Sequence, residues 1–335
     1  MQRGVIIPTS LLNHFGLSKQ GYHWSKTTEV FKEDLKESIL NRQMIALIGQ
    51  YGVGKTILTS KVFGELKNQV LFIKIKNVNR EALTVNHMMS AFIDEHTEES
   101  PRRCSEARTS QFTRLIGQLI TQSKRDICFV VEDAHRPKVE FFRSLKELRE
   151  IEFNGINPLF SVLLIGHKKL GDNLSFRKEV LLRSVKLELC EATGWMDLTE
   201  RIEYLRTVFG RAITKSARQR IATLHKFPLE MDYFIYEKMK EARLAGKTVL
   251  DDDVVQPTLK ELYDAAKESD PDAISYRKLA KEINENGKLN KKISEGSVHA
   301  IINSDAGNKK ERDIIQRTLA AVENRGHERK MAANE

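Results

Sequence analysis

Residues 44–56, MIALIGQYGVGKT, decide the architecture of the first half of this chain. The run 44–48 is short and continuously apolar, a pattern typical of a strand buried on both faces of a sheet. Residues 49–56 fit G-x-x-x-x-G-K-[ST], and a helical pattern continues to Leu66. Because a buried strand, a glycine-bearing loop and a helix follow one another directly, the segment has the context that a phosphate-binding loop requires.

The loop chemistry depends on its glycines, because backbone N–H groups must close around phosphate oxygens without a Cβ in the way. The helix N-terminus adds partial positive charge. We predict that Lys55 reaches the β- and γ-phosphates of a nucleotide and that the Thr56 hydroxyl ligates Mg²⁺. A glycine-rich turn without a ligand is the structural alternative. The predicted nucleotide contacts are Gly49, Gln50, Tyr51, Gly52, Val53, Gly54, Lys55, Thr56 and Ile57.

Outward from this loop, strand and helix patterns alternate. A helical pattern over 28–40 precedes the loop, and further apolar runs predict strands over 70–75, 127–131, 160–165 and 185–189. Parallel strands need crossover helices, so the alternation predicts an α/β fold with a parallel five-stranded sheet flanked by helices. Helices are expected over 84–96, 110–122 and 139–150, and the charged, serine-rich stretch 98–108 is predicted to be a loop.

After residue 189 the sequence shows only helical patterns, which predicts an all-helical lid subdomain. Pro271 then interrupts the helical pattern, since proline disfavours helix in the residue before it. We therefore expect three domains: an α/β nucleotide-binding domain with an N-terminal extension over residues 1–190, the lid over 191–268, and a small module with a polar tail over 269–335.

A second site element follows the third strand, where residues 127–133 read ICFVVED. A phosphate-binding loop needs a carboxylate on the metal side and a base that orients the attacking water. The usual order is Asp then Glu, and here it is inverted. Glu132 is predicted on the Mg²⁺ side and Asp133 as the base, and the shorter Asp133 side chain predicts slow hydrolysis. Two solvated carboxylates are the alternative.

Polar residues at the fourth and fifth strands complete the candidate catalytic set. His167 follows the fourth strand, where it is predicted to contact the γ-phosphate or its water, with a purely structural histidine as the alternative. Arg177 and Arg183 precede the fifth strand. An arginine there can project onto the γ-phosphate of a neighbouring subunit and stabilise the transferred phosphoryl group. A solvated surface charge is the other interpretation.

Composition limits the class of protein. The chain has 335 residues with 40% hydrophobic and 30% charged, enough for about two packed domains. No run reaches the roughly 18 apolar residues of a membrane span, and the apolar N-terminus is too short for a secretory signal. We expect a cytosolic protein without a membrane partner. Its net charge of +9 favours a polyanionic partner. Cys104, Cys128 and Cys190 form neither a disulfide framework nor a metal knuckle.

The order of these parts, from phosphate loop to helical lid, resembles an AAA+ ATPase over about residues 15–250. The runs 14–17 (HFGL), 132–135 (EDAH) and 164–170 (LIGHKKL) are similar to the bacterial branch that contains ExeA-type ATPases and the transposition regulators MuB, TnsC and TniB. This resemblance implies ATP and Mg²⁺ as cofactors, ATP-dependent homo-oligomers, and filaments or rings on double-stranded DNA that recruit a transposase. Besides the inverted carboxylates, Leu229 departs from the family, which often carries Arg there.

The C-terminal module resembles a repressor-type helix-turn-helix. Residues 274–283 and 293–303 each place apolar side chains on one helix face, with Ser294 as a cap for the second helix. A helical packing module with solvated lysines is the alternative. Ser297, His299 and Asn303 are predicted to face the DNA groove. The predicted phosphate contacts are Arg277, Lys278, Lys281, Lys291 and Lys292 in this module, with Lys74, Lys76 and Arg80 after the second strand.

The sequence thus favours an ATP-dependent DNA-binding regulator that marks target DNA for a transposase, with slow, DNA-stimulated ATP hydrolysis. Three alternatives share the phosphate loop. A replication initiator or helicase loader would have the same site with another partner protein, and an ExeA-like secretion ATPase would add a membrane span. A small-molecule kinase is disfavoured, because the helical region after residue 189 lacks an arginine-rich acceptor lid.

Overall fold

The computed structural model divides into two units, residues 1–251 and residues 252–335. The predicted boundary between residues 268 and 269 lies outside the described residues. The structure describes residues 5–21, 23–75, 79–175, 180, 182–255, 259, 263, 266–267, 275–285, 292–304, 311–319 and 321–322.

A single parallel sheet organises the first unit, which confirms the predicted α/β class. The strands are β1 (Met44–Gly49), β2 (Val70–Lys74), β3 (Asp126–Val131), β4 (Ser161–Gly166) and β5 (Ser184–Leu189). Their order is β2-β3-β4-β1-β5, and every pairing is parallel. Every residue of β1 is buried, as its continuous apolar run predicts. Because parallel strands end at one edge, the loops after β1, β3 and β4 meet there.

Helices connect the strands and continue after the sheet. Three of them begin at a side chain that accepts an unpaired N–H of the first turn: Ser25, Asp197 and Thr214. The helices that the structure describes in the first unit are α1 (Thr9–His14), α2 (Lys26–Leu40), α3 (Lys55–Leu66), α4 (Val85–His96), α5 (Ser105–Ser123), α6 (Val139–Arg149), α7 (Lys168–Ser175), α8 (Leu198–Phe209), α9 (Lys215–Leu224) and α10 (Pro228–Leu244).

Helix α5 begins earlier than the sequence predicts, because residues 105–108 are helical and not part of the expected loop. The Arg108 guanidinium donates to the carbonyl oxygens of Arg102 and Arg103 at 2.9 and 3.2 Å. These bonds hold the turn that leads into the helix. The first turn of α5 is polar and exposed, so it carries no hydrophobic periodicity from which a helix could be predicted.

The second unit has its own helical core. It contains α11 (Tyr276–Glu285), α12 (Glu295–Ser304) and a helical segment over residues 311–319. The predicted apolar faces of α11 and α12 are buried against each other, and the Asn284 side chain brackets the Ile293 backbone with bonds of 2.8 and 2.9 Å. Of the helices that the structure describes in either unit, none is long and apolar enough to cross a membrane.

Candidate nucleotide site

The loop between β1 and α3 has the backbone of a phosphate cradle. Gly52 and Gly54 have φ angles of 76° and 105°, a region that residues with a Cβ rarely adopt. A Cβ on Gly52 would also lie only 2.6 Å from the Cβ of Leu229. Gly54 immediately precedes α3, so the loop leads directly into the free N–H groups of a helix N-terminus.

The ammonium group of Lys55 lies against this loop. Its Nζ donates to the carbonyl oxygens of Gly49 and Gln50 at 2.6 and 2.8 Å, and it lies 5.9 Å from the centroid of the Tyr51 ring. Burial lowers the pKa of Lys55, while the negative charge of Asp133 acts in the opposite direction. Lys55 is therefore a partly desolvated cation held by neutral acceptors, and a phosphate oxygen is a stronger acceptor that could replace them.

Two carboxylates follow β3 and line the same cavity as Lys55 and Thr56. Glu132 is exposed, and its Oε1 lies 3.3 Å from the Nζ of Lys74 at the end of β2. Asp133 has a φ of 54° and is less exposed than Glu132. The structure therefore directs Lys74, which the sequence assigns to DNA, toward a carboxylate of the nucleotide site.

A pair of histidines lies at the same sheet edge. His167, predicted from the sequence, follows β4, and His135 lies in the turn after β3. Their ring centroids are 3.7 Å apart with planes inclined by 40°. His135 is only 8% exposed, and burial lowers its pKa below the ordinary value of 6.5, so it is neutral at pH 7. The structure thus adds an aromatic partner to the predicted His167.

The helical lid closes the other side of a cavity of about 600 Å³. Trp195 donates from Nε1 to the carbonyl oxygen of Val53 at 2.9 Å, and its ring meets Phe31 edge to face at 5.2 Å. Leu229 of α10 donates its backbone N–H to the Gly52 carbonyl at 3.4 Å. At the position where the resembled family often carries Arg, Leu229 therefore links lid and loop through its backbone, with its side chain beside Gly52.

The N-terminal segment and the lid contribute a further polar cluster to the cavity lining. Asp232 is buried, and its two carboxylate oxygens accept from the Tyr204 hydroxyl at 2.6 Å and the Gln20 amide at 3.3 Å. The His23 ring meets the Tyr204 ring edge to face at 5.9 Å. Three of these side chains, those of His23, Tyr204 and Asp232, line the cavity. A buried, hydrogen-bonded carboxylate fixes the lid against the N-terminal segment.

Arg183 lies at the N-terminal end of β5, whereas the phosphate loop lies at the opposite, C-terminal end of the strands. Arg183 immediately precedes β5, and the parallel register pairs Leu189 at the end of that strand with Gly49. At about 3.3 Å per residue, the strand separates Arg183 from the loop by roughly 16 to 20 Å. Its guanidinium forms an ion pair with Glu150. Arg183 is therefore too far from the phosphate loop of its own chain to contact it. The other predicted arginine, Arg177, lies outside the described residues.

The donor set fits a magnesium nucleotide. The glycine cradle has no room for a Cβ at Gly52, and Thr56, Glu132 and Asp133 supply the hard oxygen atoms that Mg²⁺ prefers. Among the described residues there is no group of three or more His, Cys, Asp or Glu side chains able to hold a metal ion. Mg²⁺ here would therefore share its coordination with nucleotide phosphates and water, as it commonly does.

Comparisons with known proteins agree with this architecture. Residues 39–174 match the family model described as an AAA domain. Cdc6p from Pyrobaculum aerophilum has a similar structure, with a TM-score of 0.53 and 13% identity over 96% of this chain and 91% of that chain. The fold is the P-loop AAA+ fold. Aeropyrum pernix Orc1 in complex with DNA has a TM-score of 0.45 and 13% identity, over 88% of this chain and 92% of that chain. A Thermotoga maritima RuvB variant has a TM-score of 0.44 and 14% identity, over 88% of this chain and 85% of that chain. No curated protein matches the sequence significantly.

Beyond the AAA+ sheet, the predicted DNA contacts divide between two places. Arg80 is half-buried and donates to the Ile75 carbonyl at 2.8 Å, and Lys76 lies outside the described residues. In the second unit, Lys281 pairs with Glu285 at 3.7 Å. Lys291 also lies outside the described residues. The exposed predicted contacts of the second unit are Arg277, Lys278, Lys281, Lys292, Ser297, His299 and Asn303.

All three predicted groove residues have internal partners, and the Ser297 hydroxyl lies 2.8 Å from the Ser294 hydroxyl. Asn303 donates from Nδ2 to the Tyr276 hydroxyl at 3.1 Å and to the His299 carbonyl at 2.9 Å. The His299 ring packs against Tyr276 at 4.7 Å. With both amide hydrogens engaged, Asn303 offers a base edge its carbonyl oxygen and not the paired donor and acceptor that adenine recognition uses.

The sequence gives no role to three residues that the structure places at the site, namely His135, Trp195 and Asp232. His135 stands two residues after Asp133, where its spacing alone indicates a turn residue. Trp195 and Asp232 belong to the helical region, whose position over the loop depends on tertiary packing. The weak signal for Trp195 is an indole in the short connection between the last strand and the first lid helix.

Proposed function

We propose that this protein is an ATPase that assembles through ATP on double-stranded DNA. The observation that carries the proposal is that the predicted catalytic residues lie at two separate places. The loop, both carboxylates and His167 line one cavity, whereas Arg183 lies at the opposite end of the strands. A second copy of the chain is the natural source of the missing arginine. ATP binding then favours assembly, and hydrolysis favours release.

We assign each side chain of the site a role that follows from its chemistry. Lys55 and the loop N–H groups hold phosphate oxygens, and Thr56 supplies a hydroxyl to the metal. Glu132 and Asp133 supply the metal-side carboxylate and the base for the attacking water, with Glu132 proposed on the metal side. When bound, Mg²⁺ neutralises phosphate charge and orients the phosphates. The short Asp133 side chain supports slow turnover.

Lys74 gives this assignment a separate test. Because its ammonium pairs with Glu132, it competes with a metal ion for that carboxylate. Lys74→Met should lower the Mg²⁺ concentration that half-saturates binding of a non-hydrolysable ATP analogue by about two- to five-fold, the range expected for an exposed ion pair. The shift should vanish when Glu132 is already Gln. A shift that persists in the Glu132→Gln background would show that Lys74 acts elsewhere.

DNA is the proposed polyanion. The net charge of +9 and the exposed basic side chains of α11, Arg277, Lys278 and Lys281, support phosphate contacts from the second unit. Ser297 and His299 lie exposed on α12, the helix proposed to face the groove. We propose that DNA contact also stimulates hydrolysis, because assembly on DNA brings Arg183 to a neighbouring site.

The proposal also extends to the protein that the ATP-bound chain recruits to DNA. Similarity of the EDAH and LIGHKKL runs to the MuB, TnsC and TniB branch supports a transposase recruited to marked target DNA. A replication initiator or helicase loader is the second candidate, and the similarity in fold to Cdc6p over 96% of this chain favours it as an architecture. Pull-down of a transposase or of a replicative helicase by the ATP-bound protein distinguishes the two.

The central test measures DNA binding and assembly together. Electron microscopy should show rings or filaments on duplex DNA with ATP, fewer with ADP, and none without nucleotide. In salt titrations, Arg277→Ala with Lys281→Ala should reduce the slope of log K against log salt by up to about 1.8, because each lost phosphate contact releases about 0.9 fewer counterions. Lys240→Ala on α10 is the control. A protein that stays monomeric with ATP and DNA contradicts the proposal.

A further inference from the structure

We propose that His135 is a positioning residue that holds His167 as a hydrogen-bond donor to the terminal phosphate, so that the pair distinguishes nucleoside triphosphate from diphosphate. This inference rests on the proposed nucleotide function and adds a residue and a selectivity to it. Both histidines line the cavity that contains Lys55, Glu132 and Asp133.

A hydrogen bond at Nδ1 of His167 decides which ring nitrogen carries the proton. The backbone N–H of Lys169 donates to Nδ1 of His167 at 3.3 Å. A backbone amide can only donate, so Nδ1 must be the acceptor, and a neutral ring then carries its hydrogen on Nε2. The ring therefore presents an N–H group, which suits a phosphate oxygen and does not suit a cation.

Neighbouring rings restrict the orientation of the His167 side chain. One face of the ring lies close to the His135 ring, with centroids 3.7 Å apart, and the Tyr51 ring lies at 6.2 Å. The remaining freedom of the side chain is rotation about its bonds, and a ring packed on its face loses much of that freedom. A donor fixed in advance costs less entropy to engage with a ligand.

The turn that carries His135 is itself fixed to β4 and α7. The neighbouring Ala134 donates its N–H to the Ile165 carbonyl at 2.8 Å, and the Asn173 amide donates to the His135 carbonyl at 3.0 Å. A Cβ on Gly166 would lie 3.3 Å from the backbone nitrogen of His135, which shows how closely the two segments approach. His135 therefore presents its ring from a rigid backbone.

His135 contacts His167 through its ring. Its Nδ1 is buried and has no hydrogen-bond partner among the described residues. Leaving a polar atom unsatisfied in a buried position is unfavourable, so hydrogen bonding at Nδ1 does not explain a histidine here. The face contact with His167 does use the ring. An aromatic side chain without nitrogen should therefore keep the function, whereas a side chain without a ring should lose it.

The experiment uses the full chain with His135→Phe, His135→Ala, His167→Ala and the double variant His135→Ala with His167→Ala. For each protein, the affinities for ADP and for a non-hydrolysable ATP analogue are measured with Mg²⁺ by calorimetry. We expect His167→Ala to weaken the triphosphate analogue about ten-fold, the loss of one hydrogen bond to a charged group. His135→Ala should lose most of the same factor, His135→Phe should retain it, and ADP affinity should stay unchanged in all four.

The double variant makes the coupling measurable, since two residues acting through one contact give non-additive losses. The double variant should be no weaker than His167→Ala alone. The inference is overturned if His135→Ala weakens ADP and the triphosphate analogue equally, if His135→Phe behaves like His135→Ala, or if the two losses add. Each of these results still has the wild-type protein binding nucleotide, whereas a wild-type protein that binds neither nucleotide defeats the proposed function. Should His135→Ala fail to fold, a loss of triphosphate affinity in His135→Phe, with ADP affinity unchanged, would still overturn the inference, because a ring without nitrogen is expected to keep the contact.

Discussion

Arg183→Ala is expected to reduce ATP hydrolysis by about 10³-fold, the lower end of the effect of an arginine supplied to a phosphoryl-transfer site. Nucleotide affinity of the isolated subunit should stay unchanged, because a full strand of β5 separates Arg183 from its own loop. The measurement is phosphate release at saturating ATP and DNA, with nucleotide affinity determined on the same preparations at concentrations where the chain is monomeric.

Loss of stability does not account for such a result. Arg183 and its partner Glu150 are each about half exposed, at 54% and 52% for the side chains, and an exposed ion pair contributes at most about 1 kcal/mol. Arg143→Ala is the matched control, because Arg143 is also an exposed arginine and pairs with Glu147 at 3.3 Å. If the two variants lose activity equally, the loss reflects the surface charge and not a trans-acting arginine.

A mixing experiment makes the trans geometry explicit. Arg183→Ala keeps an intact loop and lacks the arginine, whereas Lys55→Ala lacks the loop cation and keeps the arginine. Mixed assemblies contain some interfaces in which Lys55 of one copy meets Arg183 of the next, so the mixture should regain hydrolysis that neither variant has alone. If the two variants co-assemble and the mixture regains no activity, Arg183 does not act on the site of a neighbouring copy.

The sheet could be predicted from sequence because its signal is local. Each predicted strand agrees with the structure to within one residue at each end, since buried parallel strands are continuous apolar runs between glycine-rich or polar segments. Residues 105–108 were harder, because an exposed polar helix turn has no apolar period. Hydrogen bonds from Arg108 to the preceding carbonyls identify this helix start, and they are visible only in three dimensions.

The contents of the site could be predicted in part. The loop residues and the ends of β3 and β4 come together because parallel strands share one edge, so motif and topology place Lys55, Glu132 and His167 side by side. The partners of these residues depend on packing between distant segments. Lys74 and Glu132 are 58 positions apart in the chain, and only the pairing of β2 with β3 brings them to 3.3 Å.

Lys55→Ala should abolish nucleotide-dependent assembly and weaken ATP affinity at least about 100-fold, since a partly buried lysine can make more than one charge-assisted bond to the phosphates. The expected change in the folded protein without nucleotide is small, because the substitution also removes a cation that burial disfavours, as the lowered pKa of Lys55 indicates. The effect should therefore appear in binding and not in folding.

Thermal unfolding with and without nucleotide separates these two quantities. A ligand at 100 times its Kd stabilises the native state by about 2.7 kcal/mol, so wild-type protein should show a raised Tm with saturating Mg·ATP. Lys55→Ala should melt near the wild-type Tm without nucleotide and show almost no increase with it. Lys61→Ala on the same helix is the control, because Lys61 is half exposed and pairs only loosely with Glu65 at 3.9 Å. An undiminished ATP-induced increase in Lys55→Ala would mean that the triphosphate binds elsewhere, and the loop at residues 49–56 would then lose its assigned role.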